Sequence, residues 1–263
     1  MEVKNLLSLK GKNICVVGGA GYIGSSITDA LAEFGANVMI CSRDLKKCSE
    51  KAQEVTKNYG TYSKAFEVDI TDTSSIKRLK QEFISEELNI NSLVICAWNG
   101  KKNSLDSISV EDWNYDINVC LNGVFYLIKE FLEDLKQSKG NILSIASMYG
   151  YVAPDYKLYQ DVPQVNPPSY GAAKAGVIQM TKYLASFLSE HQVRANCISP
   201  GPLPFPATMR EYPEFVSRLE QKNPCGRIGE PDDIKTTALL LCSDAGSYIN
   251  GQNICIDGGW GIW

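Results

Sequence analysis

Tyr170 and Lys174 stand four residues apart, a spacing that puts both side chains on one face of a helix. A phenol ordinarily ionises near pH ~10, and a neighbouring ammonium favours the phenolate. Such a pair suits giving or taking a proton at a substrate carbonyl or carbinol. Tyrosine and lysine at this distance also arise by chance, so the pair gains meaning from a second motif. In Val17-Gly18-Gly19-Ala20-Gly21-Tyr22-Ile23-Gly24, the residues Gly18, Gly21 and Gly24 recur every third position. Glycines between a strand and a helix let the backbone turn tightly and approach a pyrophosphate. The helix N-terminus then supplies free N–H groups and a positive dipole end. A tight turn without a ligand is the plainer alternative. After the next strand the run is Cys41-Ser42-Arg43-Asp44. An acid at that strand end would take the ribose 2′-hydroxyl of NAD. Ser42 stands there instead, and a guanidinium beside a hydroxyl suits a 2′-phosphate. NADP(H) is therefore the expected preference, with NAD(H) also accepted. Asp44 weakens that inference, and Arg43 as a solvated charge at a helix start is the alternative.

Both motifs need a frame. Short apolar runs at residues 13–17, 37–41, 62–68, 92–97, 140–146, 193–198 and 253–256 read as strands,. Helices are expected over 22–34 (closed by Gly35), after a cap at Asp44, and over 72–87 with Thr71 or Asp72 as N-cap. Further helices are expected over 110–137 as one long helix, 170–190 and 231–242,. Strands alternating with helices, the strands continuously apolar, predict an α/β fold with a parallel sheet covered on both faces. The 263 residues show no linker, repeat or composition break, so one domain is expected. Two proline-rich stretches, 151–168 and 200–213, interrupt the rhythm. Loops of that length in a compact α/β domain are often functional, with plain surface excursions as the alternative.

The net charge is −4, which argues against a nucleic-acid partner. Nine cysteines without a CxxC pair and a single histidine, His191, fit neither a disulfide framework nor a metal site. The start of the chain has no apolar signal region, and no run is long enough to span a membrane. A reduced, cytoplasmic protein is the expectation.

Taken together, these residues resemble the shorter, single-domain branch of the short-chain dehydrogenase/reductase family, from about Leu9 to Trp260. The family's Tyr-x-x-x-Lys falls on Tyr170 and Lys174, and its catalytic serine on Ser147. Its Asp after the third strand falls on Asp69. Its Asn-x-x-Ser-Pro-Gly segment falls on Asn196-Cys197-Ile198-Ser199-Pro200-Gly201, and its Gly-Gln…Asp-Gly-Gly on Gly251, Gln252, Asp257, Gly258 and Gly259. The resemblance implies a Rossmann-type sheet of about seven strands in the order 3-2-1-4-5-6-7, and a homotetramer or homodimer. It implies hydride transfer between a nicotinamide and an alcohol or ketone. Ser147 would orient the substrate oxygen, Tyr170 would be the acid/base, and Lys174 would hold the ribose and lower the Tyr170 pKa. The cofactor would lie along Gly18, Gly21, Tyr22, Ile23, Gly24, Ser42, Arg43, Asp69, Ile70, Ala97, Trp98, Tyr170, Lys174, Pro200 and Gly201.

Three departures stand out. The glycine spacing is that of the family's longer branch. The family's Asn-Asn-Ala-Gly appears as Ile95-Cys96-Ala97-Trp98, which puts a large ring where ribose and nicotinamide pass. A gapless match of Trp113…Phe125 puts Cys120 where the family has an Asn that helps hold a proton-relay water. A reactive thiol at Cys120 and a small buried filler are both readings of that residue. The stretch after Ser147 offers Tyr149, Tyr151, Asp155, Tyr156, Lys157, Tyr159, Gln160 and Asp161, which suit either a polyhydroxy ligand or a subunit contact. Its pattern is similar to gluconate 5-dehydrogenase-like and surface-glycan sugar-pathway members. The stretch 200–213 matches the family's substrate lid, and its five prolines suggest a stiff one. Trp260 and Trp263 are expected at a subunit interface. The resulting expectation is an oxidoreductase interconverting a ketone and a secondary alcohol on a small, sugar-like substrate. The alternatives are a 3-oxoacyl-type reductase and a catalytically weak dinucleotide-binding protein with a regulatory or structural role.

Overall fold

The computed structural model describes residues 2–163 and 165–262; Trp263 lies outside them. Seven strands form one parallel sheet: β1 (Asn13–Val17), β2 (Asn37–Ser42), β3 (Ser63–Glu67), β4 (Ser92–Ile95), β5 (Asn141–Ile145), β6 (Arg194–Pro200) and β7 (Asn253–Ile256). Their order is β3-β2-β1-β4-β5-β6-β7, as the motifs implied. The helices are α1 (Val3–Leu6), α2 (Tyr22–Glu33), α3 (Leu45–Tyr59), α4 (Thr73–Ser85), α5 (Val110–Ile117), α6 (Gly123–Glu130), α7 (Leu132–Ser138), α8 (Pro168–Phe187), α9 (Pro206–Glu211), α10 (Pro213–Lys222) and α11 (Lys235–Cys242).

The two-residue strand period sorts the core onto two faces. Cys15, Val17, Met39 and Cys41 meet α4, α6, α7 and α8 on one face. Ile14, Val16, Val38 and Ile40 meet α2, α3 and α11 on the other. The strand order reverses between β1 and β4, so a crevice opens there at the carboxyl ends of the strands.

Asp44 and Asp72 cap α3 and α4 by accepting from Lys47 N and Ser74 N. The helical stretch expected over 110–137 is broken. A π-turn over Asn118–Asn122 joins α5 to α6, and a second break at Phe131 starts α7. The π-turn rotates every later side chain relative to a straight helix, and Gly123 then abuts Ile70, whose Cγ1 would lie 2.8 Å from a Cβ there. The stretch 200–213 is not a bare loop. Pro206 and Pro213 open α9 and α10, because a proline at the first helical position gives up only an N–H that is unpaired anyway. Among the described residues no helix is long and apolar enough to cross a membrane.

Candidate active site

A cleft of about 580 Å³ opens over the β1/β4 reversal, and every residue assigned to cofactor or catalysis from the sequence lines it. The glycine turn forms its first wall. Gly18 has φ +81°, and a Cβ there would lie 2.8 Å from Ala97 N. A Cβ on Gly24 would strike the Gly18 carbonyl at 2.0 Å. Among the described residues no side chain caps the N-terminus of α2, so its first N–H groups and positive dipole end are left to face the cleft. Tyr22 and Ile23 continue the wall.

Ser42 and Arg43 lie at the end of β2 beside this turn. The Ser42 hydroxyl is held by Asp44 N at 3.1 Å and Cys48 Sγ at 3.0 Å. Asp44 is turned to its own helix: it accepts from Lys47 N, which holds its carboxyl below the usual range, and it does not line the cleft. The guanidinium of Arg43 has no ion-pair partner among the described residues. Asp69 steadies the next edge through Thr71 N and Oγ1, at 2.9 and 2.7 Å, with Ile70 beside it. Across the cleft Gly201 N donates to Ile256 O at 2.9 Å, fixing the backbone after Pro200. Uncapped N–H groups, a glycine turn closed to any Cβ and an unpaired guanidinium together fit a phosphorylated dinucleotide.

Ser147, Tyr170 and Lys174 meet at the inner end of the cleft. Ser147, following β5, accepts from Tyr149 N at 3.1 Å, and its hydroxyl sits on the side of the Tyr170 phenol where it favours the phenolate. Burial is the larger influence and pushes that phenol above its ordinary range. This departs from the expected lowering by Lys174. The Lys174 ammonium lies 5.7 Å from the Tyr170 ring centroid and donates to Ile145 O at 2.6 Å. Burial pulls it below its ordinary range, opposed only by the thiols of Cys120, Cys96 and Cys197. Cys120 is fully buried and its Sγ approaches Asn99 O at 3.6 Å. Burial pushes that thiol up, against the opposing pull of Lys174, which favours the small buried filler over the reactive nucleophile.

Ala97 and Trp98 complete the site. The Trp98 ring stands edge-on to Tyr170 at 6.1 Å and stacks on Phe205 at 6.0 Å, and Phe205 meets Tyr22 at 5.3 Å. The first proline-rich stretch packs against α10, the helix that follows the second. Tyr159 hydrogen-bonds Tyr149 at 2.8 Å and packs on Phe215 of α10 at 5.1 Å, while Arg218 pairs with Asp161 and Lys222 with Asp155. Of the eight residues proposed from the sequence for the substrate wall, only Tyr149 and Tyr159 line the cleft. Tyr151 instead donates to Asp257 at 2.8 Å, and Tyr156 to Asn166 O. Trp260 is also a correction: it is buried with Met148, Phe215 and Leu219 inside the chain rather than at a subunit surface. Phe205, Lys102 and Asn166 line the cleft but carry no motif that would single them out in the sequence.

Known proteins are similar to this chain in sequence and fold. A family model described as enoyl-(acyl carrier protein) reductase matches residues 18–261. A sorbose reductase of Candida albicans is 31% identical over 98% of this chain and 90% of its own length. The 3-oxoacyl-[acyl-carrier-protein] reductase of Aquifex aeolicus is 30% identical over 98% of this chain and 99% of its own. The Pseudomonas aeruginosa RhlG/NADP complex superposes with a TM-score of 0.88 at 29% identity, covering 97% of this chain and 98% of that one. The chain belongs to the short-chain dehydrogenase/reductase family of oxidoreductases.

Proposed function

We propose that the protein is an NADP(H)-preferring oxidoreductase that interconverts a ketone and a secondary alcohol on a small, sugar-like substrate. The convergence of Ser147, Tyr170 and Lys174 at the end of a cleft fitted to a dinucleotide carries this reading. The unpaired Arg43 beside Ser42, with Asp44 engaged elsewhere, supports the 2′-phosphate. The Tyr149–Tyr159 hydroxyl pair gives the outer cleft the aromatic faces and polar tips that suit polyols.

NADPH, held along Gly18, Gly24, Ser42 and Arg43, would supply the hydride. Ser147 holds the substrate oxygen through its hydroxyl, and the Tyr170 phenol delivers the proton to that oxygen. Held neutral by burial, Tyr170 enters the reductive direction already carrying that proton. The Lys174 ammonium supplies positive charge beneath the phenol as the proton leaves. Phe205 and Trp98 exclude water from the reacting end. Exposed aromatic side chains on α6 and α8, Phe125, Tyr183 and Phe187, support association into a homodimer or homotetramer.

Fluorescence titration with NADPH and NADH tests the cofactor assignment. NADPH is expected to bind at least tenfold tighter, and Arg43→Ala to remove that preference while leaving NADH binding alone. Equal affinities in the unaltered protein would refute the role of Arg43. Oxidation and reduction of sugars and polyols, compared with a 3-oxoacyl thioester, then tests the substrate class.

A further inference from the structure

Lys102 sits in the loop after β4 with φ +57°, a left-handed conformation that lysine rarely adopts. Its ammonium lies 5.7 Å from the Trp98 ring centroid and 5.9 Å from that of Phe205. It has no carboxylate or carbonyl partner among the described residues, whereas neighbouring Lys101 reaches Asp112 at 3.8 Å. A partly desolvated cation with only ring faces for company lacks a counter-charge, and burial already pulls its pKa down. Beside it on the same cleft, the Asn166 amide oxygen is buried with no donor among the described residues, a deficit that a ligand hydroxyl would relieve. The two residues are braced together, because Val165 N donates to Lys102 O at 3.3 Å. Both line the cleft that holds Ser147 and Tyr170.

We propose that Lys102 and Asn166 form an anion subsite that takes the carboxylate and an adjoining hydroxyl of an aldonate-type polyhydroxy acid. The assignment rests on the reading of the cleft as a carbonyl–alcohol redox site for a sugar-like substrate. A carboxylate gives the ammonium its counter-ion through a charge-assisted bond, and the hydroxyl donates to the orphaned amide oxygen. A neutral ketose or polyol would satisfy only the second group.

Calorimetric titration of D-gluconate and of sorbitol into the protein saturated with NADP+ tests the subsite. Gluconate is expected to bind at least tenfold tighter than sorbitol. Lys102→Met should weaken gluconate at least tenfold, with NADP+ affinity and melting temperature unchanged, and Lys102→Arg should restore most of the loss. Sorbitol binding as well as gluconate, no gluconate binding, or full affinity in Lys102→Met would each overturn the subsite. An equal loss of NADP+ affinity would also overturn it, by placing the ammonium on a cofactor phosphate. Turnover is read separately. Gluconate bound through Lys102 but never oxidised would keep the subsite and remove the redox reading. Sorbitol oxidation without gluconate binding would do the reverse.

Discussion

The Tyr170 phenol is the group on which turnover is expected to hinge, because it carries a transferable proton between Ser147, which favours its ionisation, and the Lys174 ammonium 5.7 Å from its ring. Tyr170→Phe keeps the ring that Trp98 meets edge-on and removes the hydroxyl with its transferable proton. The loss should fall within the ~10²–10⁴-fold typical of a positioned acid/base, with NADPH affinity changed less than twofold. Turnover at the parent rate would refute the role. Cys120 gives a second prediction at this scale. It is fully buried and its thiol is pushed up, so iodoacetamide at pH 8 should spare it in the folded protein and label it only after denaturation. Exposed Cys225 is the internal control, and rapid native labelling of Cys120 would restore the reactive-thiol reading. Tyr170, Lys174 and Arg43 stood out in the sequence because their residue types carry chemistry at recognisable offsets, and Ser147 stood out only through the family match. Lys102 and Asn166 were not: a loop lysine is ordinarily a solvated charge, and its meaning comes from the Trp98 and Phe205 rings that the fold brings against it.

At the scale of elements, the seven strands were readable within one or two residues at each end, because buried parallel strands are continuous apolar runs between polar turns. The break at Asn118–Asn122 was not readable, because a π-turn adds one residue to a helical turn without requiring a breaker such as proline. The helices α9 and α10 were hidden by their own prolines, which mark helix starts at Pro206 and Pro213 as readily as they mark loops. The turn between β1 and α2 is the element on which cofactor binding most depends. Gly24→Ala would push a methyl into the Gly18 carbonyl, a backbone atom with no rotamer to yield. The turn should open and NADPH affinity fall at least tenfold, with far-UV circular dichroism retained; unaltered affinity would show that the turn does not hold the dinucleotide. The cap of α3 tests a purely structural contribution. Asp44→Ala removes the bond to Lys47 N and should lower the urea unfolding midpoint, while cofactor preference stays the same. A loss of NADPH selectivity in that variant would mean that Asp44, and not Arg43 alone, reads the ribose.

For the whole molecule, the cysteines set an alkaline limit. Burial holds the Cys242 thiol up to about 12 and the Cys197 thiol up to about 11, and both side chains lie within the core. In the unfolded chain the same thiols ionise near pH ~8.5. Above that pH the unfolded state therefore binds fewer protons than the folded state, and stability falls as pH rises. Each thiol contributes about 1.4 kcal/mol per pH unit until its folded pKa is reached. The buried phenols of Tyr149 and Tyr170, also pushed up by burial, join once the unfolded tyrosines begin to ionise near pH ~10. Against a total stability on the order of 5–15 kcal/mol, this slope is large. The urea midpoint should be flat below about pH 8 and drop steeply by pH ~10.5. Cys242→Ala separates this linkage from general charge repulsion: it lowers stability at pH 7 by opening a small cavity, yet its decline with pH should be shallower by one proton. A parent midpoint that holds constant to pH 10.5 would mean that water or a neighbouring cation already stabilises these thiolates inside the fold.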